Sequence, residues 1–80
     1  MRIDKYLKVS RIIKRRTIAK EACDRGLVSL NGRISKAGAE VGVGDVLEVR
    51  FGENTFKARV VSLQESVRKD KAGEMYELLS

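Results

Sequence analysis

Two periods of apolar positions run through this chain. In residues 3–9, Ile3 and Leu7 lie four apart and Tyr6 joins them from Ile3 at spacing three, the stripe of a short helix. Lys5 and Lys8 point elsewhere. Ser10 interrupts the stripe, and residues 11–14 form a connection that contains Ile12 and Ile13. A second helix is predicted over 15–25. At 100° per residue its Ile18, Ala19, Ala22 and Cys23 fall within a face about 140° wide. Arg16 and Lys20 lie four apart at one edge of that face, and Thr17, Glu21 and Asp24 fill the far side. Gly26 follows, as glycine commonly does just past a last helical turn.

Beyond Gly26 the period shortens. Residues 27–30 read as a strand, Asn31-Gly32 is the strongest hairpin signal in the chain, and 33–35 return as the partner strand. Residues 36–45 are glycine-rich and close on the turn pair Gly44-Asp45. A strand is predicted over 46–51 and a turn over 52–54. A longer strand follows over 55–63, where Phe56, Ala58 and Val60 alternate with Lys57, Arg59 and Val61. Residues 64–73 are polar and read as a mobile loop. Residues 75–79 fit either a last strand beside 55–63 or a short helix; the strand is the reading taken. The expected architecture is α+β: two short N-terminal helices packed on a small, mostly antiparallel sheet, in a single domain spanning 1–80.

Charge changes the picture because it is uneven. Up to Arg25 the chain carries Arg2, Lys5, Lys8, Arg11, Lys14, Arg15, Arg16, Lys20 and Arg25 against Asp4, Glu21 and Asp24. After Arg25, basic and acidic residues balance, so the net +6 sits in the first third. Solubility needs no such asymmetry, whereas a face that meets a polyanion does. A phosphate backbone requires several cations on one surface, each displacing counterions. Arginine suits the task because its planar fork donates two parallel hydrogen bonds. Arg2, Lys8, Arg11, Arg15, Arg16 and Lys20 are the candidate RNA-binding residues. Arg15 and Arg16 also lie at a helix start. Lys5 and Lys14 read as simply solvated.

Other chemistry is scarce. With no histidine and one cysteine, Ser-His and Cys-His nucleophile systems, an internal disulfide and the ordinary zinc sites are ruled out. No catalytic residue, metal or cofactor is assigned, and the protein is not expected to be an enzyme. Cys23 reads as a small core residue. Asp4 either caps the first helix or pairs with a nearby arginine. Of the four aromatics, Tyr6, Phe51, Phe56 and Tyr76, three fall at core positions by pattern, and no stacking platform for single strands is seen. Structured RNA read by shape is therefore the expected target. No run approaches the roughly 18 apolar residues of a membrane span. The charged opening Met1-Arg2-Ile3-Asp4-Lys5 lacks the apolar stretch of a leader. A cytoplasmic protein with no membrane partner is expected.

The run Arg2-Ile3-Asp4-Lys5-Tyr6-Leu7 is followed by Arg15-Arg16-Thr17-Ile18-Ala19-Lys20-Glu21-Ala22-Cys23. Gly26, Val28, Asn31-Gly32, Val41, Gly44-Asp45 and Val46 to Val49 come after it. This ordered set resembles the S-four family of RNA-binding domains over about residues 1–51, with the strands within 55–79 added behind it. The resemblance implies the family's αL motif. It is nearest to the short stand-alone members that act in bacterial ribosome quality control and to the related S-four heat-shock protein. It implies contact with 23S-type rRNA and tRNA on large ribosomal subunits that carry a stalled chain. It also implies assistance to C-terminal tailing by an RqcH-type factor. By position, Arg2 and Arg16 match the arginines expected on RNA, with Lys8, Arg11, Arg15 and Lys20 around them. A proline common in the family after the Asn-Gly turn is replaced by Ser35-Lys36-Ala37. The chain ends at Ser80 without the heat-shock relative's basic extension, which favours the quality-control branch. A monomer is expected. Two alternatives stay open: an RNA-binding accessory of a separate RNA-modifying enzyme, and a protein-docking module.

Overall fold

The computed structural model describes residues 1–79. Helix α1 spans Ile3–Val9 and α2 spans Arg16–Asp24, followed by strands β1 (Val28–Leu30), β2 (Arg33–Ile34), β3 (Val46–Phe51) and β4 (Asn54–Val60). A 3-10 helix, Lys69–Met75, precedes β5 (Tyr76–Leu78). The five strands form one sheet in the order β2-β1-β3-β4-β5, every neighbouring pair antiparallel. The α+β architecture predicted from the pattern is the one observed, and residues 76–78 pair with β4 as a strand.

One face of the sheet is buried and the other is wet. Val28, Leu47, Val49, Ala58 and Val60 point into a core completed by Ile3, Tyr6, Leu7, Ala19, Cys23 and Met75. The residues between them, Glu48, Lys57, Arg59 and Glu77, pair across the outer face as Lys57–Glu48 (3.6 Å) and Arg59–Glu77 (3.4 Å). Exposed pairs of this kind contribute little to stability. The Asn31-Gly32 hairpin forms as expected: both residues have positive φ, +52° and +84°, which the tight turn between β1 and β2 requires.

Arg2, the N-cap residue of α1, makes no side-chain cap. Two free amides of the first turn of α1 are taken by backbone carbonyls of the loop between β2 and β3. Ile3 N–H donates to Ala39 at 2.8 Å and Asp4 N–H to Ala37 at 3.3 Å. These bonds satisfy donors that every helix start leaves open. They also lay the loop against the beginning of α1.

Three expectations need correction. Ile18, placed on the buried face of α2, is 48% exposed; the buried stripe is Ala19 and Cys23, and no element of the described residues covers Ile18. The long strand ends at Val60 instead of 63, because the Val61 and Ser62 amides turn away to the Met75 carbonyl, at 2.8 and 3.1 Å. Finally, the segment read as a loop over 64–73 contains most of the 3-10 helix, which buries Ala72 and Met75.

Candidate nucleic-acid interface

The interface is built around a carboxylate. Asp4, in the first turn of α1, is only 3% exposed. Its Oδ1 accepts from the Lys5 amide (2.8 Å) and from Arg16 Nη2 (3.3 Å), and its Oδ2 accepts from Arg2 Nη2 (3.2 Å). Burial pushes the Asp4 pKa up. The Arg16 hydrogen bond, the Lys5 amide and the charges of Arg16 and Arg2 outweigh it, and the carboxyl is held below its ordinary value. One anion thus fixes two guanidiniums from two different elements. Both arginine side chains remain about half exposed, at 50% and 46%. Each guanidinium has five N–H donors, so the bond to Asp4 leaves most of them free.

Arg2 and Lys20 open onto a groove between α2 and the 34–38 segment, whose floor includes Cys23, Ser35 and Ala37. Lys36 lines the same groove from the loop. The Arg2 guanidinium lies against Gly38, where a Cβ atom would stand 3.7 Å from Nη2. The structure therefore gathers Arg2 and Lys20 on this groove, with Arg16 tied to Arg2 through Asp4, and adds Lys36, which the sequence pattern did not single out. Its signal was weak, since it lies in the charge-balanced part of the chain. Lys8 and Arg11 do not share this groove. They line a second cleft at the far end of α1, together with Lys14. Arg15 is exposed at the N-cap of α2 and lines neither.

Asp4 takes both of the roles expected of it: it pairs with Arg2 and Arg16, and its Oδ1 accepts the Lys5 amide in the first turn of α1. Lys5 is ion-paired with Glu65 and is not merely solvated. Cys23 is buried and its thiol is pushed up to about 11, first by desolvation and then by Asp4 and Asp24, which leaves it unreactive. Among the described residues no group of three His, Cys, Asp or Glu side chains is placed to hold a metal. None of their helices is long and apolar enough to cross a membrane.

The S4 domain family model matches residues 1–47, which takes in α1, α2, the β1–β2 hairpin and the loop that holds α1. The chain belongs to the S4 domain family. This S4 chain is 49% identical over 78 residues to the RQC P-site tRNA stabilizing factor of Halalkalibacterium halodurans, covering 98% of this chain and 89% of that one. Against the factor of the same name from Bacillus subtilis it is 49% identical over 79 residues, covering 99% and 92%. Among solved structures, the trimeric heat shock protein 15 of Vibrio cholerae superposes with a TM-score of 0.92 at 25% identity, over 100% of this chain and 82% of that one. The family match stops within β3, so β4, the 3-10 helix and β5 lie outside it, although the named relatives align with nearly the whole chain.

Proposed function

We propose that this S4 protein is a non-catalytic RNA-binding factor of ribosome-associated quality control. It binds rRNA and tRNA on large ribosomal subunits that carry a stalled chain and supports tailing of that chain by an RqcH-type factor in the cytoplasm. The observation that carries this reading is the Asp4-centred pair of guanidiniums, Arg2 and Arg16, of which Arg2 lines a groove together with Lys20 and Lys36. The names of the relatives supply the setting. A buried anion that orients two half-exposed arginines lowers the entropy lost when they meet a phosphate. Lys20 and Lys36 add charge along the same groove, and each cation that neutralises a phosphate releases counterions. Arg11, Lys8 and Arg15 extend the basic surface. In this reading a single copy is the working unit.

Sedimentation of tagged protein from lysate, beside Arg16→Ala at matched expression, tests the reading. Wild type should travel with free large subunits and the variant should stay at the top of the gradient. With purified subunits, Arg16→Ala should also flatten the plot of log affinity against log salt by about 0.7–0.9 for each phosphate it no longer neutralises. Co-migration of both proteins would remove Arg16 from the RNA-binding face. Absence of wild type from every ribosomal fraction would overturn the ribosomal reading in favour of an accessory to another RNA enzyme.

A further inference from the structure

The two helices end in closely related backbone turns but with different residues at the decisive position. After α2 that residue is Gly26, φ +74°; its N–H reaches the Cys23 carbonyl at 3.0 Å, and the Leu27 N–H reaches Ala22 at 2.9 Å. This is the ordinary glycine-closed helix end. After α1 the corresponding residue is Arg11, φ +62°, whose N–H donates to the Lys8 carbonyl at 3.0 Å. A residue with a side chain is disfavoured in this conformation relative to glycine. The other described non-glycine residue with positive φ is Asn31, and an Asn-Gly turn favours asparagine there. Arg11 has no such local reason. A bulky residue kept in a sparsely populated conformation points to a task for its side chain.

The surroundings of Arg11 supply the task. It lines a cleft of about 200 Å³ between the α1–α2 connection and the 65–67 segment. Lys8 and Lys14 line it from the same side, and Glu65, Ser66 and Val67 close the other. Glu65 is the one acid in the lining, and it is engaged by Lys5. That ion pair also ties the 65–67 segment to α1. Three basic residues and a serine thus line a space in which the only acidic residue is already partnered.

We propose that this cleft seats one phosphate of the RNA backbone, held by Arg11 and Lys14, with Lys8 beside them and Ser66 as a neutral donor. Ser66, with the 65–67 segment that closes the cleft, comes from beyond the region that the family model matches. The RNA source of the phosphate rests on the function proposed above; the anion seat rests on the cleft itself.

The decisive variant is Arg11→Gly, which removes the guanidinium and at the same time relieves the backbone. It should raise the melting temperature by roughly 4 °C, while affinity for purified large subunits falls about tenfold. Lys14→Gln should weaken binding in the same direction without moving the melting temperature. Either variant binding with wild-type affinity and salt slope, while Arg16→Ala measured alongside binds weakly, would overturn the seat and leave the RNA reading standing. Titration of the free protein with inorganic phosphate, followed by backbone amide shifts, tests the seat without the ribosome. Shifts at residues 8–14 and 65–67 that vanish in Arg11→Gly support it even if subunit binding fails altogether. No shift there in the wild type would overturn it.

Discussion

Asp4 shows how much one side chain decides at the residue scale. It is buried, it is charged, and it holds two arginines that the sequence places fourteen positions apart. Replacing it with asparagine keeps the shape but removes the charge that both guanidiniums face. Asp4→Asn should destabilise the fold by about 1–3 kcal/mol at neutral pH. The pH dependence follows from the lowered carboxyl pKa. Between the folded value and the ordinary 3.8, the unfolded chain binds the proton that the folded chain does not. The contribution of Asp4 is therefore complete above about pH 4 and disappears as pH falls through the folded value. Melting temperatures of wild type and Asp4→Asn should be separated at pH 7 and converge toward pH 3. A gap of constant size across that range would mean that Asp4 acts through shape and not through charge. RNA affinity at pH 7 should also fall in Asp4→Asn, because Arg2 and Arg16 would enter the complex unoriented.

At the scale of elements, helix ends carry opposite lessons. Gly26→Ala should cost about 1–2 kcal/mol. Space is not the reason, since an added Cβ would meet Ile34 at an ordinary 3.9 Å; the positive φ is. Chemical denaturation should detect the loss, and an unchanged midpoint would show that the turn relaxes at no expense. Arg11→Gly, at the corresponding turn of α1, should move stability the other way. Most elements were legible because local chemistry and period agree. The α1 stripe of Ile3, Tyr6 and Leu7, the Asn31-Gly32 turn and the alternation from Phe56 to Val60 each point to one structure. Ile18 was misplaced because a helix of nine residues packs on a stripe narrower than its apolar face, leaving one flank open. The 3-10 helix was hidden for a different reason. Its burial rests on Ala72 and Met75 alone, a single i, i+3 pair set among charged residues and too short a stripe to read as a helix.

At the scale of the molecule, the two ends of the chain meet. The Tyr6 hydroxyl donates at 2.8 Å to the Met75 carbonyl, the same oxygen that takes the Val61 and Ser62 amides. The N-terminal charge asymmetry made the basic character of α1 and α2 visible from sequence. It could not show that Arg2 and Lys20 line one groove, with Arg16 held beside Arg2 by Asp4, while Lys8, Arg11 and Lys14 meet in another. That division depends on Asp4, on Lys36 arriving from a loop and on the 65–67 segment arriving from near the C-terminus, a juxtaposition across sequence distance that no local pattern encodes. The packing makes the C-terminal segment part of the core. A chain cut after residue 67 loses Met75, which is fully buried, together with Ala72 and β5, and leaves the buried Tyr6 hydroxyl without its acceptor. Losing the Met75 side chain alone costs about 2–5 kcal/mol, and an orphaned buried hydroxyl adds about 1–3. A domain of this length has roughly 4–12 kcal/mol of net stability to lose. The truncated chain should therefore melt far lower than the full chain, or show poorly dispersed amide resonances at 25 °C. A truncated chain that melts cooperatively within a few degrees of the full chain would show that α1, α2 and β1–β4 fold without the C-terminal segment.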